Sequence, residues 1–329
     1  MIMIGLTAIN VFSVTALQQY LMYQDNVQTT QASLGALKDA KEVQLEEYFS
    51  VINKDIAILA ESDVVKNAMQ DFGAGWAALG GSQTAQLQKL YIEDNKNPTG
   101  QKDNLDMASD GSIYSMVHGK YHPWLHKFLK EKAYYDIFLI SPNGDVMYTV
   151  FKERDYATNV MTGEWKDTDL GKIFRDVKAN PKADYVGFTD FAPYAPSYDA
   201  PAGFIGKPLI QDGRFIGALV FQMPIDYMSN LAANADGMGE TGASYLVGAD
   251  HLMRSNFRFS KESTILKEKV DEEGVVLALQ GKEGVILTTD EHTGEKAYMA
   301  YAPIDFHGTR WAYIVEQLQS ESLASYHEV

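Results

Sequence analysis

The sequence predicts an α+β fold: a long N-terminal stem helix followed by two modules, each an antiparallel sheet flanked by helices. Two observations predict it. A strand-turn-strand signature occurs twice, and each copy is completed by a further hairpin. Tyr135–Phe151 (YDIFLISPNGDVMYTVF) is answered by Phe204–Met223, and Ala243–Phe259 (ASYLVGADHLMRSNFRF) by Ala297–Gln317. Ahead of both copies, apolar residues recur at spacings of three and four over a long stretch without Pro or Gly.

The chain opens with 24 residues that carry no charge before Asp25. Residues 1–24 are read as a transmembrane helix without its cytoplasmic flank; a buried core helix and a signal segment are the alternatives. A spanning helix needs about 20 apolar residues. No basic residue precedes the stretch and no clear cleavage site follows it, as a signal peptide requires. With no second apolar stretch and an end at Val329, the sequence reads as a fragment. Residues 25–70 follow as the stem, where Leu34, Leu37, Leu45, Tyr48, Phe49, Ile52, Ile56 and Leu59 line one face. Glycines from Gly73 to Gly81 then punctuate the chain.

Glu93 to Gly111 reads as a polar surface loop, and Pro123 as the start of a short helix to about Lys132. The first hairpin turns at Pro142–Asn143–Gly144. Asp167–Thr168–Asp169 caps a helix whose face carries Leu170, Ile173, Phe174 and Val177, and Asn180–Pro181 ends it. Tyr185–Phe191 is a strand, and the next hairpin turns at Asp212–Gly213. Ile225 to Ala235 connects to a second module beginning after Gly242. There a helix is expected over Glu262–Gln280, then strands near Val285–Thr289, Lys296–Pro303 and Arg310–Glu316.

Bulk properties exclude several classes. The net charge of -16 argues against nucleic acid, whose phosphates need a basic face, and mildly favours a cationic ligand. The chain has no cysteine, which removes disulfides, thiolate metal sites and cysteine nucleophiles together. It contains no G-x-S-x-G, H-E-x-x-H or P-loop, and no carboxylate pair is marked as an acid/base couple, so it is read as non-catalytic. The G-x-G-x-x-G of Gly237, Gly239 and Gly242 has a helix before it and a strand after it, the reverse of a dinucleotide site, and is read as a linker. His118, His122 and His126 are spaced for one helical face, but Pro123 is expected to break that helix, leaving packing and capping roles rather than metal binding.

The segment TDFAPYAPSYDAPAGF gathers Phe191, Tyr194, Tyr198 and Phe204 with Asp190, Ser197 and Asp199, stiffened by Pro193, Pro196 and Pro201. Aromatic walls with a few polar groups suit a small-molecule pocket, and carboxylates among aromatics suit a cation; the same aromatics also suit a core. Lys152, Arg154 and Asp155 follow the strand ending at Phe151, and Trp165 lies on the next loop. Lys152 or Arg154 could meet a ligand carboxylate with Tyr148 as a wall, or form a solvated strand end. The candidate ligand residues are therefore Tyr148, Lys152, Trp165, Asp190, Tyr194, Ser197, Tyr198 and Phe204. No cofactor or metal is expected. In the second module Tyr298, Tyr301, Arg310 and Trp311 are read as packing and capping groups.

Five segments carry a family resemblance: ALQQYL, YYDIFLISPNGDVMYTVFKERDYATN, TDFAPYAPSYDAPAGFIGKPL, GMGETGASYLVGADHLMRS and YAPIDFHGTRWAYIVEQ. Together they span most of Leu17 to Gln317, and the chain resembles the double Cache, tandem PAS-like, sensor domains of bacterial chemoreceptors and sensor kinases. The resemblance implies a membrane-distal module at 71–228 that holds the ligand pocket and a membrane-proximal module at 229–320. It also implies a homodimer through the stem helices, an inner-membrane receptor with its sensor in the periplasm, and an output in chemotaxis, a histidine kinase or a cyclase. The Arg-x-Trp-Tyr cluster of the amino-acid-binding branch is missing from DYATNVMTGEWKDTDL, so amino acids are not the favoured ligand. The rival reading from another class is a membrane-anchored envelope hydrolase; a structural adaptor is the third.

Overall fold

The structure is a computed structural model that describes the backbone of residues 2–327 and the side chains of residues 14–324. It divides into two units: one comprises Glu47–Tyr227 with Phe306–Thr309, the other Met1–Glu46, Met228–Asp305 and Arg310–Val329. Among the described residues no helix is long and apolar enough to cross a membrane. The expected spanning segment, residues 1–24, lies in good part outside the described side chains.

Helix α1 (Ile2–Glu61) is the long N-terminal helix, and it buries Leu45, Ile52, Ile56 and Leu59. It stops short of the expected limit near residue 70. Ser62 adopts an extended backbone and its hydroxyl accepts from the Val65 amide, capping a separate helix α2 (Asp63–Ala78). Capping satisfies an amide that would otherwise be orphaned, and a serine can do so only by leaving the helical conformation.

A short helix α3 (Gln83–Gln88) runs into a π-helical turn, Lys89–Glu93, that buries Tyr91. Helix α4 (Ile113–Lys132) corrects the expected short helix: it starts ten residues earlier and passes straight through Pro123. An internal proline costs roughly 3 kcal/mol through a lost hydrogen bond and a clash with the carbonyl four residues back. That penalty is offset by a Ser112 cap on the Ser115 amide and by burial of Tyr114, Tyr121, Leu125 and Leu129 along one face.

The first sheet contains β1 (Asp136–Ile140), β2 (Val146–Thr149), β3 (Gly187–Tyr194), β4 (Ala200–Gln211) and β5 (Arg214–Met223), in the antiparallel order β2-β1-β5-β4-β3. Helix α5 (Asp169–Ala179), capped by the Thr168 hydroxyl, lays Leu170, Ile173, Phe174 and Val177 against Phe138, Ile140, Phe204 and Val220. The β1–β2 ladder shifts register between Leu139 and Ile140. The extra residue sends Tyr148 to the side opposite Val146, because a bulge reverses the alternation of side chains. Tyr148 thus packs on Phe72 of α2 and bonds His122 of α4, while Val146 joins the α5 core.

The second sheet has the order β6-β9-β8-β7, from β6 (Ala243–Val247), β7 (Gly284–Thr289), β8 (Lys296–Phe306) and β9 (Thr309–Leu318). Helices α6 (Ile225–Ala232), α7 (Glu273–Leu279) and α8 (Gln319–His327) accompany it. Its core joins Tyr245, Val247, Val275, Ala278, Met299 and Ile314. The helix expected over Glu262–Gln280 is reduced to α7. Residues before it form strand-like bonds instead: the amides of Leu266 and Val270 donate to the carbonyls of Met253 and His251, and Leu266 takes a left-handed φ of 58°. The glycine-rich linker closes around Glu321 of α8, whose carboxylate accepts from the Glu240 and Thr241 amides at 2.8 Å each.

Candidate functional site

Three strands of the first sheet set side by side a polar row that ends in an aromatic ring. Asp136 opens β1, Gln222 lies opposite it on β5, and Phe204 lies opposite Gln222 on β4. Two segments close on this row: the one after β2, which carries Lys152, Glu153 and Asp155, and the end of β3 with its connection to β4, which carry Tyr194 and then Ser197 and Tyr198.

Asp136 is fully buried, and one carboxylate oxygen accepts from the amides of Ile137, Val150 and Phe151 at 2.7, 2.9 and 2.9 Å. Its Oδ2 has no partner among the described residues. Burial, reinforced by the nearby Asp155 charge, pushes its pKa well above the ordinary carboxylate range despite the three amides. Asp155 accepts from the Tyr194 hydroxyl at 2.7 Å on Oδ2, while Oδ1 is unpartnered among the described residues. Burial raises it to about 7, against the lowering effect of that hydroxyl. Glu153 accepts from Tyr135 at 2.9 Å and from the Ser197 hydroxyl, and burial raises it too. Gln222 reaches Ser197 through Nε2 at 3.4 Å and leaves Oε1 unpartnered among the described residues. Buried oxygens left without donors cost about 1–3 kcal/mol each, so a built site of this kind matches a ligand that brings N–H or O–H groups and positive charge.

The eight candidate residues separate into four groups. Tyr194, Ser197 and Phe204 belong to this site: Tyr194 is 2% exposed and stands edge-on to Phe204 at 4.9 Å. Lys152 is buried at φ 63°, its ammonium bonded to the Thr149 carbonyl and 4.5 Å and 5.0 Å from the centres of the Tyr148 and Tyr156 rings. Burial lowers it to about 7, with the Asp136 charge acting the other way. Tyr148 lies beside it but turns towards α2 and α4. Trp165 and Tyr198 flank the Arg154 guanidinium at 5.4 and 5.0 Å, forming a clasp at the rim. Tyr198 is 66% exposed there and borders a cavity of about 50 Å³ shared with Phe151, Lys152 and Glu153. Asp190 sits in the bulge of β3, where it accepts from the Phe191 amide.

Asp136, Glu153 and Gln222 are not singled out in the sequence, where Asp155 stands only beside Lys152 and Arg154 after the strand ending at Phe151. A signal for Asp136 and Gln222 existed: each is a lone polar residue inside an apolar strand run, DIFLI and ALVFQM, and a strand that buries both faces has no other reason to carry one.

The histidine spacing on α4 also resolves differently from expectation. Because the helix continues through Pro123, His118, His122 and His126 stack in sequence, with centres 4.4 and 5.3 Å apart. Both nitrogens of His122 are engaged, Nε2 donating to the Asp103 carbonyl at 2.7 Å and Nδ1 accepting from Tyr148 at 2.7 Å. Burial pushes His122 down to about 2, so it stays neutral and both bonds hold across the physiological range. His126 binds the Asp103 carboxylate at 2.8 Å. The three rings form a hydrogen-bonded seam behind β2.

Comparison with known proteins identifies the family and the fold. A Cache domain family model (dCache_1) matches residues 18–326. The extracellular domain of vpHK1S-Z8, assigned as a histidine kinase, is similar in structure, with a TM-score of 0.55 at 11% identity over 92% of this chain and 96% of that one. A domain of a sensory box/GGDEF family protein from Vibrio parahaemolyticus has a TM-score of 0.51 at 11% identity, over 90% and 99%. The ligand-binding domain of the Pseudomonas fluorescens chemoreceptor CtaA, in complex with L-leucine, has a TM-score of 0.41 at 13% identity, over 84% and 97%. No curated protein matches the sequence.

Proposed function

This chain belongs to the Cache domain family, and on that premise we propose that it is the extracytoplasmic ligand-sensing region of a transmembrane chemoreceptor. The observation that carries the proposal is the set of buried acceptor oxygens, Asp136 Oδ2, Asp155 Oδ1 and Gln222 Oε1, gathered around Tyr194 and Ser197 without donors among the described residues. The ligand is a small molecule that presents donors and positive charge to them, with Phe204 and Tyr194 as the apolar wall. Residues 1–24 anchor the chain in the bacterial inner membrane, the modules at 71–228 and 229–320 lie in the periplasm, and two copies pair through the stem. The chain performs no catalysis in this reading; binding shifts the population of two conformations, and the coupling is bounded by the ligand's preference between them, typically ~1–3 kcal/mol.

A histidine kinase or cyclase output is the second reading, favoured by the fold likeness to the vpHK1S-Z8 and sensory box/GGDEF domains. Either output uses the same sensor. A thermal-shift screen of the protein against amines, organic acids, amino acids, purines and sugars tests the proposal. A ligand at 100 times its Kd adds ~2.7 kcal/mol of stability. The expected hit is an amine; stabilisation by anionic acids alone would reject the charge assignment, and silence across all classes would reject direct sensing.

A further inference from the structure

The unit built on the second sheet carries a separate cluster that the sensing site does not use. Glu272 lies just before α7, Asp290 and His292 lie just after β7, and each offers one ligand atom, all within 4.8 Å of one another. Glu316 of β9 stands beside them. Glu272, Asp290 and Glu316 are 3%, 5% and 2% exposed. The Tyr245 hydroxyl sits 3.0 Å from a Glu272 oxygen and 3.2 Å from a Glu316 oxygen. A single O–H donates to one of them at a time, so the other is left without that donor. Glu316 Oε1 has no hydrogen-bond partner among the described residues.

The His292 ring is clamped flat on Phe257, 3.9 Å between centres at 10°, which fixes where its nitrogens point. Nε2 lies 2.8 Å from Glu268 Oε1, yet neither ring nitrogen has a partner in hydrogen-bonding geometry among the described residues. This differs from the α4 seam, where both His122 nitrogens are occupied. A cavity of about 500 Å³, lined by Phe257, Glu268, Asp290 and His292, connects the cluster to solvent.

We propose that Glu272, Asp290 and His292 form a divalent transition-metal site, with Glu316 as the neighbouring carboxylate. Carboxylate oxygens with one imidazole and no thiolate suit Zn²⁺ or Mn²⁺, and the imidazole disfavours Mg²⁺ and Ca²⁺, which take oxygen ligands. The outer contacts are those a ligating carboxylate requires: Tyr245 donates to one Glu272 oxygen and the Glu291 amide to the other at 2.7 Å. An ion there offsets the charge of the two ligating carboxylates and links the start of α7 to the end of β7, with Glu316 close by.

Zn²⁺ alone, titrated calorimetrically into chelator-treated full chain, tests this site, with the melting temperature followed in parallel. The expected result is one ion per chain and a rise in melting temperature. Affinity should fall at least tenfold in Glu272→Gln and in His292→Gln and stay unchanged in His126→Gln on α4. Absence of saturable binding by the unmodified chain overturns the proposal without reference to any variant. So does binding that survives His292→Gln in a variant with native circular dichroism, or binding lost in His126→Gln.

Discussion

The Tyr194–Asp155 pair concentrates the chemistry of the first unit, because a buried carboxylate is held there by one hydroxyl while its second oxygen is unpartnered among the described residues. Tyr194→Phe removes that donor and keeps the ring on Phe204, so it should cost about 1–2 kcal/mol of stability by thermal unfolding; an unchanged melting temperature would show the bond to be unimportant. Titration gives a second expectation. The folded Asp155 pKa of about 7 exceeds the unfolded value of about 3.9. Between those values the folded state holds a proton that the unfolded state has released, so this group's stabilising effect declines as pH rises from about 4 to about 7. Asp155→Asn lacks the titration, and the difference between its melting temperatures at pH 5 and pH 8 should be smaller than in the unmodified protein. Equal differences would remove Asp155 as the source. At this scale the sequence singled out Tyr194, Ser197 and Phe204, which the structure gathers near Asp155 and Gln222, since aromatic and hydroxyl residues clustered among prolines mark themselves. Glu153 went unmarked and Asp155 could not be told from a solvated strand end, because KERD after a strand reads as one until the chain is seen to fold back under Tyr194.

Among the elements, α4 shows how tertiary packing overrides a local rule. Pro123 argued for a helix start, yet the buried face of Tyr114, Tyr121, Leu125 and Leu129 keeps the helix running through it. Replacing Pro123 by Ala restores an amide to the Gly119 carbonyl and removes the ring clash. Stability should rise by about 1–2 kcal/mol, the helical gain of roughly 3 kcal/mol less the entropy returned to the unfolded chain; a fall would mean that the proline ring itself contributes packing in α4. The paired hairpins and α5 were legible because turn residues, alternation and a Thr cap all act locally. The stem's break at Ser62, the true extent of α7 and the bulge that turns Tyr148 to α4 were not, since each is decided by partners distant in sequence: the backbone at 251–253 takes the bonds a longer α7 would have used.

For the whole molecule, the α+β class, the long N-terminal helix and the two antiparallel sheets all follow from repeated periodicities, and family membership over residues 18–326 agrees with them. An acidic chain of net charge -16 favours capture of cations at long range, consistent with a site whose free groups are acceptors. The deciding measurement is the affinity of the strongest amine from the screen for the unmodified protein and for Asp136→Asn, by calorimetry at pH 7.5. The substitution keeps the shape and one acceptor oxygen but removes the carboxylate that a bound ammonium would draw into its ionised form against the raised pKa. A fall of about 100-fold, roughly 2.7 kcal/mol, with native circular dichroism is the predicted result. Equal affinity for both proteins would contradict the claim that the buried carboxylates of the first unit recognise the ligand.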